Sequence, residues 1–266
     1  MSAIIEPASG AKWGLERHRI ILIAIAVALI LWMAVSMRWD WLPTYGPKLI
    51  NGVGVTLAML FSTSILGFLL AVPIGLVQVT GPRWLKIPAQ FFCTIIRGTP
   101  LLLQLWLLYH GLGSIFAAWP EIRQSWAWPY LRTAWPYGVL ALTISFAAYE
   151  AEVMRGAFSG VPKGELEAAR AYGMSPWTVF RRVWLPRAIH RALPTLNGET
   201  VLQLKSTPLV ATITVVDAYA IISRVRQDTF LTYEPLLFLA LIYMCLTGIL
   251  VVAFRKLENM VPVKGA

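Results

Sequence analysis

The sequence predicts an all-α integral membrane protein with about six transmembrane helices. Of its 266 residues, 58% are hydrophobic and 14% are charged, and the mean hydropathy is +0.65, which is too apolar for an ordinary soluble domain. The apolar residues form runs long enough to cross a hydrocarbon core of roughly 30 Å as helices. Helices are expected because lipid offers backbone groups no hydrogen-bond partners.

The predicted spans are the apolar runs 20–37, 53–79, 89–113, 137–158, 207–223 and 236–254. The first run is followed by Arg38-Trp39-Asp40-Trp41, which lacks a small-residue cleavage site. We therefore expect a retained helix rather than a signal peptide. Cys93 and Cys245 fall inside apolar runs and are expected in the core. The three histidines lack ligand spacing, so no metal site is predicted.

The basic residues indicate the orientation of the chain. Segments 1–19, 80–88, 155–206 and 255–266 together contain sixteen Lys and Arg, whereas the segments on the other side contain six. The positive-inside rule assigns the richer set to the cytoplasm. Both termini are therefore expected inside. The net charge of +10 comes mainly from these flanks, so nucleic-acid binding is not expected.

The longest cytoplasmic segment contains a polar, amphipathic insert. Residues 163–172 are rich in Glu, Leu, Ala and Arg and favour a helix. Gly173 is suited to the left-handed conformation that ends such a helix. Ser175-Pro176 predicts the start of a second helix, Trp177 to Trp184. We expect Leu185-Pro186 to stop that helix, because proline disrupts helix interiors.

This insert resembles the EAA loop of ABC-importer permeases. In that loop E-A-A is followed by three residues, a glycine, nine residues and I-x-L-P, and Val183 replaces the isoleucine here. The matching residues are Glu167, Ala168, Ala169, Gly173, Leu185 and Pro186. The resemblance implies that the loop, residues 162–190, docks onto a separate ATPase as a coupling helix. The alternative interpretation is a solvated amphipathic loop at the membrane surface.

Further motifs resemble permeases of ABC importers for polar amino acids, in the branch for histidine, lysine, arginine, ornithine and opines. They are Gly52 to Leu57 (GVGVTL), Arg97 to Leu101 (RGTPL), Tyr149 to Glu152, Asn197 to Glu199 (NGE, where many relatives have adjacent NE) and Lys205 to Thr207. The resemblance implies a five-helix transmembrane domain over 49–258. Residues 1–48 would add a tail and an extra helix, and 259–266 would form a cytoplasmic tail.

The resemblance also implies the partners. They are cytoplasmic ABC ATPase subunits, a second permease that is identical or paralogous, and a periplasmic substrate-binding protein, at a bacterial inner membrane. The chain has no G-x-x-x-x-G-K-[ST] phosphate loop, so ATP and Mg²⁺ are expected on the ATPase and no cofactor on this chain. We find no Ser-His-Asp arrangement or paired catalytic acids and predict no enzymatic activity.

Four charged residues fall within the predicted spans: Arg97, Glu150, Glu152 and Asp217. Charge at membrane depth is costly and usually faces a bundle interior or a water-filled cavity. Arg97 and Glu152 are expected either to bind the α-carboxylate and ammonium of an amino acid or to form an internal ion pair. Gly98 and Pro100 predict either a broken helix, as at transporter sites, or a tolerated kink.

Helical spacing separates the two glutamates. Ser145, Tyr149, Glu152 and Gly156 share a face, whereas Glu150 lies about 200° from Glu152. Glu150 is expected either to favour a cationic substrate side chain or to pair with a neighbouring helix. The candidate substrate-binding residues are Arg97, Gly98, Thr99, Gln104, Tyr149, Glu150 and Glu152.

Three further polar residues have weaker assignments. Gln104 is open to a core-packing role, and Asp217 is expected to cap or pair locally near the outer end of its span. Glu199 and Lys205 flank the start of the fifth predicted span. They either join the loop to an inner gate or lie at the interface.

The sequence therefore predicts the permease subunit of an ATP-driven amino-acid importer, with basic amino acids or opines as the favoured substrates. Importers for other polar amino acids, such as glutamine or glutamate, are the near alternative. A more distant alternative is an ion-coupled carrier or channel with Arg97, Glu152 and Asp217 as relay charges. A scaffold that only assembles other membrane subunits is the third.

Overall fold

The computed structural model describes residues 20–21, 24–25, 28–29, 32 and 35–260. The chain divides into two compact units, Met1–Asp40 and Trp41–Ala266. In the first unit, the described residues between 20 and 36 are helical and their apolar side chains are exposed. The predicted tail 1–19, parts of the first span and residues 261–266 lie outside the described residues.

The second unit is helical throughout. Its α-helices are α1 (Leu42–Thr80), α2 (Arg83–Gly98), α3 (Leu101–Trp106), α4 (Gly113–Ala118), α5 (Pro120–Arg123), α6 (Trp128–Leu131), α7 (Trp135–Ser159), α8 (Lys163–Ala171), α9 (Pro176–Val179), α10 (Leu185–Ser206), α11 (Ala218–Thr229) and α12 (Tyr233–Met260). Two π-helical segments, Leu107–Leu112 and Phe180–Trp184, and a 3-10 helix, Thr207–Ile213, connect some of them. Residues 35–260 contain no strand, and the all-α prediction is confirmed.

Length and apolar composition identify three candidate spans in the described residues: Leu42–Thr80, Leu101–Ala118 and Tyr233–Met260. A fourth is present if Pro176–Ile213 and Ala218–Thr229, which are bent by 55°, form one broken span. The helix α7 is long enough to cross a bilayer, but its charged residues make it less apolar. The total of six spans stays a prediction.

The centre of the second unit is the close contact between α1 and α7. A Cβ atom on Gly67 would lie 2.7 Å from the Phe146 ring, and one on Gly75 would lie 2.8 Å from the Ala151 carbonyl oxygen. Ala147 and Ala151 are fully buried on the facing side. Small residues let two membrane helices approach closely and gain dispersion contacts without a hydrophobic driving force.

The third predicted span, 89–113, is divided in two at the Arg97–Leu101 motif. The helix α2 ends at Gly98, Thr99 is extended at φ −110° and ψ 143°, and α3 begins at Leu101. The physical reason is Pro100, which has no N–H to donate and disfavours helical geometry in the residue before it. The alternative of a broken helix at this motif is confirmed.

The fifth predicted span, 207–223, begins too late and is interrupted. The helix α10 already crosses the bundle before residue 207, since Gln203 donates hydrogen bonds to Thr63 Oγ1 at 2.9 Å and to the Leu142 carbonyl at 3.2 Å. Thr214 then adopts φ 72°, and Asp217 caps α11 by accepting from the Ala220 amide at 2.8 Å. The local capping expected of Asp217 is confirmed. The hydropathy of the sequence did not indicate that α10 crosses the bundle, because the polar residues of α10 lower its mean hydropathy.

Candidate functional site

A cavity of about 300 Å³ lies beside the middle of α7, between α7, α10 and the junction of α2 with α3. Its polar wall consists of Thr99, Ser145, Tyr149, Glu199, Lys205 and Ser206. Leu101, Phe146, Leu202 and Gln203 complete the lining. The cavity therefore combines one acidic and one basic side chain with hydroxyl groups and apolar surface.

Two helical faces supply most of the cavity wall. On α10 the lining residues Glu199, Leu202, Gln203 and Ser206 follow the spacing i, i+3, i+4, i+7 of a single helix face. On α7 the predicted polar stripe provides Tyr149 and Ser145. Sequence reasoning predicted Thr99 and Tyr149 at this site and missed the α10 face. The helical spacing of polar residues along α10 could have indicated that face, but the segment was assigned to a loop.

Glu152 has a closer partner than the predicted one. Its Oε2 atom accepts from Arg155 Nη2 at 2.9 Å and from Arg155 Nε at 3.0 Å. Arg97 Nη1 lies 3.9 Å from the same oxygen, and the Arg97 guanidinium lies 5.3 Å from the centroid of the Tyr149 ring. The two hydrogen bonds from Arg155 to this one oxygen are shorter than the contact with Arg97, so Glu152 belongs to an internal ion-pair network rather than standing as a free charge.

Glu150 lies apart from the cavity. Its side chain is fully buried, and neither carboxyl oxygen has a hydrogen-bond partner among the described residues. The predicted separation of Glu150 from Glu152 agrees with this burial, because Glu152 remains partly exposed. The alternative in which Glu150 pairs with a neighbouring helix finds no partner in residues 35–260.

Gly98 and Gln104 lie on either side of the break between α2 and α3. Gly98 is the last residue of α2, and no heavy atom would lie within 4 Å of a Cβ atom placed on it. The Gln104 side-chain amide donates to the carbonyl oxygen of Ile96 at 2.7 Å. Neither residue is part of the cavity wall.

The polar insert folds as a helix, a glycine turn and a second helix. Gly173 follows α8 at φ 77°, the left-handed conformation that suits glycine. Ser175 caps α9 by accepting from the Thr178 amide at 3.3 Å, and Pro176 occupies the first turn. Glu167 and Ala168 are exposed, whereas Ala169 is buried.

The predicted stop at Leu185-Pro186 is wrong. The chain stays helical from Pro176 to Ile213, and Pro186 lies in the first turn of α10. The π-helical segment Phe180–Trp184 precedes it. Wider turns of this kind accommodate a proline because they alter the i to i−4 hydrogen-bond pattern that its ring would disrupt. The insert is therefore continuous with α10.

Side-chain contacts fasten the insert to the end of α7. The Trp184 indole N–H donates to the Phe158 carbonyl at 3.0 Å, and the two rings form an edge contact with centroids 5.4 Å apart. Arg187 Nε lies 2.9 Å from Glu165 Oε2, linking α8 to α10. The insert is therefore attached to two long helices, α7 and α10.

A second polar contact joins α1 to α11 at the opposite end of the bundle. The Tyr45 hydroxyl donates a hydrogen bond to the Asp228 carboxylate. Lys48 Nζ lies 5.2 Å from the centroid of the same ring. The contact holds the beginning of α1 against the end of α11.

Comparison with known protein families identifies the fold and its general role. Residues 64–261 match the family model of the binding-protein-dependent transport system inner membrane component. The chain belongs to this family. It is thus a membrane-embedded permease of a transport system, and its multi-pass helical architecture agrees with that assignment.

Characterised permeases of this family include similar sequences. The octopine transport system permease protein OccM of Rhizobium radiobacter is 37% identical over 210 residues, which cover 79% of this chain and 84% of OccM. The histidine/lysine/arginine/ornithine transport system permease protein HisM of Salmonella typhimurium is 35% identical over 210 residues, covering 79% of this chain and 88% of HisM.

Solved permease structures have the same fold. An amino acid ABC transporter crystallised with histidines has a TM-score of 0.69 at 31% identity, and the match covers 85% of this chain and all of that one. The MetNI methionine ABC transporter gives 0.68 at 18% identity, which supports the fold alone. The predicted membership in the ABC-importer permeases is confirmed.

Proposed function

We propose that the cavity beside α7 binds the transported solute during ATP-driven import. Its charged residues, Glu199 and Lys205, suit the α-ammonium and α-carboxylate groups of an amino acid, and its hydroxyl groups can complete their hydrogen bonds. Its volume of about 300 Å³ is at the lower end of the range for small-molecule sites. Arg97 and Glu152, the predicted poles, would act from beside the cavity.

The observation that carries this proposal is the cavity's position at a broken helix. Thr99, the extended residue of the break, is part of the cavity wall. Unwound backbone near the middle of the membrane commonly marks the binding site of a transporter. Charged residues at that depth are costly and are retained mainly where they line a solute path.

Basic amino acids or opines are the proposed substrates. The similar permeases are named for octopine transport and for histidine, lysine, arginine and ornithine transport. Glutamine or glutamate is the alternative substrate class. The cavity's mixed charge is compatible with the zwitterionic part that all these solutes share, so the substrate side chain must be discriminated by neighbouring groups.

The insert is the proposed docking element for the ATPase. Tyr172 and Trp177 are 86% and 67% exposed on either side of Gly173, and aromatic residues in such positions often anchor protein interfaces. ATP and Mg²⁺ would bind to the partner ATPase, and this chain would perform no catalytic step. Closure of the ATPase pair would move the insert and, through it, α7 and α10.

The full assembly would contain this permease, a second permease, ATPase subunits and a periplasmic binding protein. The insert and both termini would face the cytoplasm. Reconstitution of the assembly in liposomes would test the function, with uptake of labelled arginine, histidine, glutamate and octopine measured with and without ATP. We expect ATP-dependent uptake of a basic amino acid or of octopine. Uptake without ATP would instead indicate a carrier or channel.

A further inference from the structure

The side chain of Gln104 bridges the break between α2 and α3. Its Nε2 atom donates to the carbonyl oxygen of Ile96 at 2.7 Å, to the carbonyl oxygen of Thr99 at 3.1 Å and to Thr99 Oγ1 at 2.7 Å. Thr99 Oγ1 in turn donates to the Ile95 carbonyl at 3.0 Å. One amide group from α3 therefore contacts the last turn of α2 and the residue at the break.

The orientation of this amide is determined by its partners. The Ile96 and Thr99 carbonyl oxygens can only accept hydrogen bonds, so the NH₂ group of Gln104 must face them. The reversed amide would place Gln104 Oε1 against the carbonyl oxygens of Ile96 and Thr99, with no hydrogen between them. The Oε1 atom, on the other side of the amide, is buried and has no hydrogen-bond partner among the described residues.

The amide replaces a backbone donor that the sequence cannot supply. In a continuous helix, the N–H of residue 100 would donate to the carbonyl of residue 96. Residue 100 is proline, which has no N–H, so the Ile96 carbonyl would lack its partner. Gln104, four residues after the proline, supplies the missing donor from the next helix.

This contact controls the position of one cavity residue. Thr99 belongs to the cavity wall and accepts two of the three hydrogen bonds from Gln104. Arg97, two residues before Thr99, contacts Tyr149, which also belongs to the wall. Loosening of the break would therefore disturb the cavity even though Gln104 is not part of its wall.

We propose that Gln104 is a positioning residue for solute binding, which fastens the α2–α3 break and thereby fixes Thr99 at the cavity wall. Its role is distinct from the direct substrate contact expected from the sequence. The inference rests on the proposed function, in which the cavity is the solute site. It implies that Gln104 and Thr99 act as one unit.

A double-mutant cycle in the reconstituted importer tests this unit. Gln104→Met preserves length and removes the donors, Thr99→Val removes the hydroxyl, and the two are combined. The matched control is Gln90→Met, an exposed position on α2. We expect Gln104→Met to raise the KM for uptake roughly tenfold with little change in the maximal rate, as for loss of a buried hydrogen bond. The KM of the double variant should be about the same as the higher of the two single-variant KM values.

Two further measurements make the test decisive. Gln104→Glu keeps the shape but removes the donors at neutral pH, and it should also raise KM, whereas Thr99→Ser keeps the hydroxyl and should not. Independent, multiplicative effects of Gln104→Met and Thr99→Val would overturn the positioning role, as would a normal KM in Gln104→Met. Absence of ATP-driven uptake by the wild-type assembly would instead refute the proposed function, and this inference with it.

Discussion

Glu199 and Lys205 are the two charged residues of the cavity wall, and they lie on a helix that also carries inward-facing Gln203. Their proposed role in solute binding depends on their position in the cavity wall. The same residues at a membrane surface would be ordinary interfacial charges, which was one interpretation of the sequence. Here they line one cavity together, and the proposed solute is a zwitterion because its two charges complement theirs.

Replacement of Glu199 by glutamine should weaken substrate binding. Loss of a charge-assisted hydrogen bond to the substrate ammonium corresponds to roughly a tenfold to hundredfold increase in the KM for uptake. Uptake by reconstituted importer should be measured across substrate concentrations. The control is Glu121→Gln, an exposed acid outside the cavity. Unchanged KM in Glu199→Gln would remove this residue from the site.

Gly52 is expected to tolerate no side chain, for a different physical reason. A Cβ atom there would lie 2.9 Å from the Asp217 carbonyl oxygen and 3.1 Å from the Ala218 Cα atom. Gly52→Ala should therefore separate α1 from α11 and lower the free energy of unfolding by about 1–3 kcal/mol. Thermal unfolding of the purified protein in detergent would measure this.

Gly54→Ala is the matched control for that experiment. It lies on the same helix, and a Cβ atom there would meet no heavy atom within 4 Å. The free energy of unfolding of the Gly54→Ala variant should equal that of the wild type or be slightly higher, because alanine has a higher helix propensity than glycine. Equal destabilisation by both substitutions would show that the close approach to Asp217 is unimportant.

At the level of helices, the proposed docking role of the insert depends on its continuity with α10. The π-helical segment before Pro186 keeps the helix unbroken from Pro176 to Ile213, and the Trp184 indole ties it to the end of α7. An insert joined to the bundle by flexible loops would move without moving the other helices. An insert that continues into α10 and is also bonded to α7 would instead move the cavity wall, to which α7 and α10 both contribute.

Gly173→Val should uncouple hydrolysis from transport while the membrane helices remain folded. Gly173 has φ 77°, where a side chain costs roughly 1–2 kcal/mol and a β-branched one more. Distortion of the turn would misalign α8 and α9 on the ATPase. We expect ATPase activity that no longer responds to solute and an uptake rate reduced at least about tenfold.

Gly164→Val provides the comparison in the same insert. Gly164 has an ordinary backbone conformation, and a Cβ atom there would meet no heavy atom within 4 Å. Its coupling ratio of ATP hydrolysed to solute imported should match that of the wild type. If Gly173→Val also kept that ratio, the glycine turn would have no role in coupling.

At the level of the entire chain, the predicted orientation places the insert and the segment around Arg123 on opposite sides of the membrane. A membrane-impermeant thiol reagent can test this in a variant in which Cys93 and Cys245 are replaced by alanine. Glu167→Cys should react only in inverted vesicles, and Arg123→Cys should react in intact spheroplasts. Both native positions are exposed. The reverse pattern would contradict the proposed orientation.

Local chemistry was enough to predict the helical class and the helix, glycine turn and helix of the insert, and the resemblance of its motifs predicted the family. Long apolar runs require helices in lipid, Gly173 requires a left-handed turn, and Pro100 removes a backbone donor whatever surrounds it. These properties depend on a few neighbouring residues. They were therefore visible in the sequence before any packing was known.

Only the tertiary structure decided which polar residues share the cavity. Three features depend on how the helices pack: the cavity-lining face of α10, the ion-pair network of Glu152 with Arg155 and Arg97, and the bridge from Gln104 to Ile96. Hydropathy averages over all faces of a helix, so it assigned α10 to a loop. The direction in which a polar residue points is set by the neighbouring helices, because they determine where a buried donor or acceptor finds its partner.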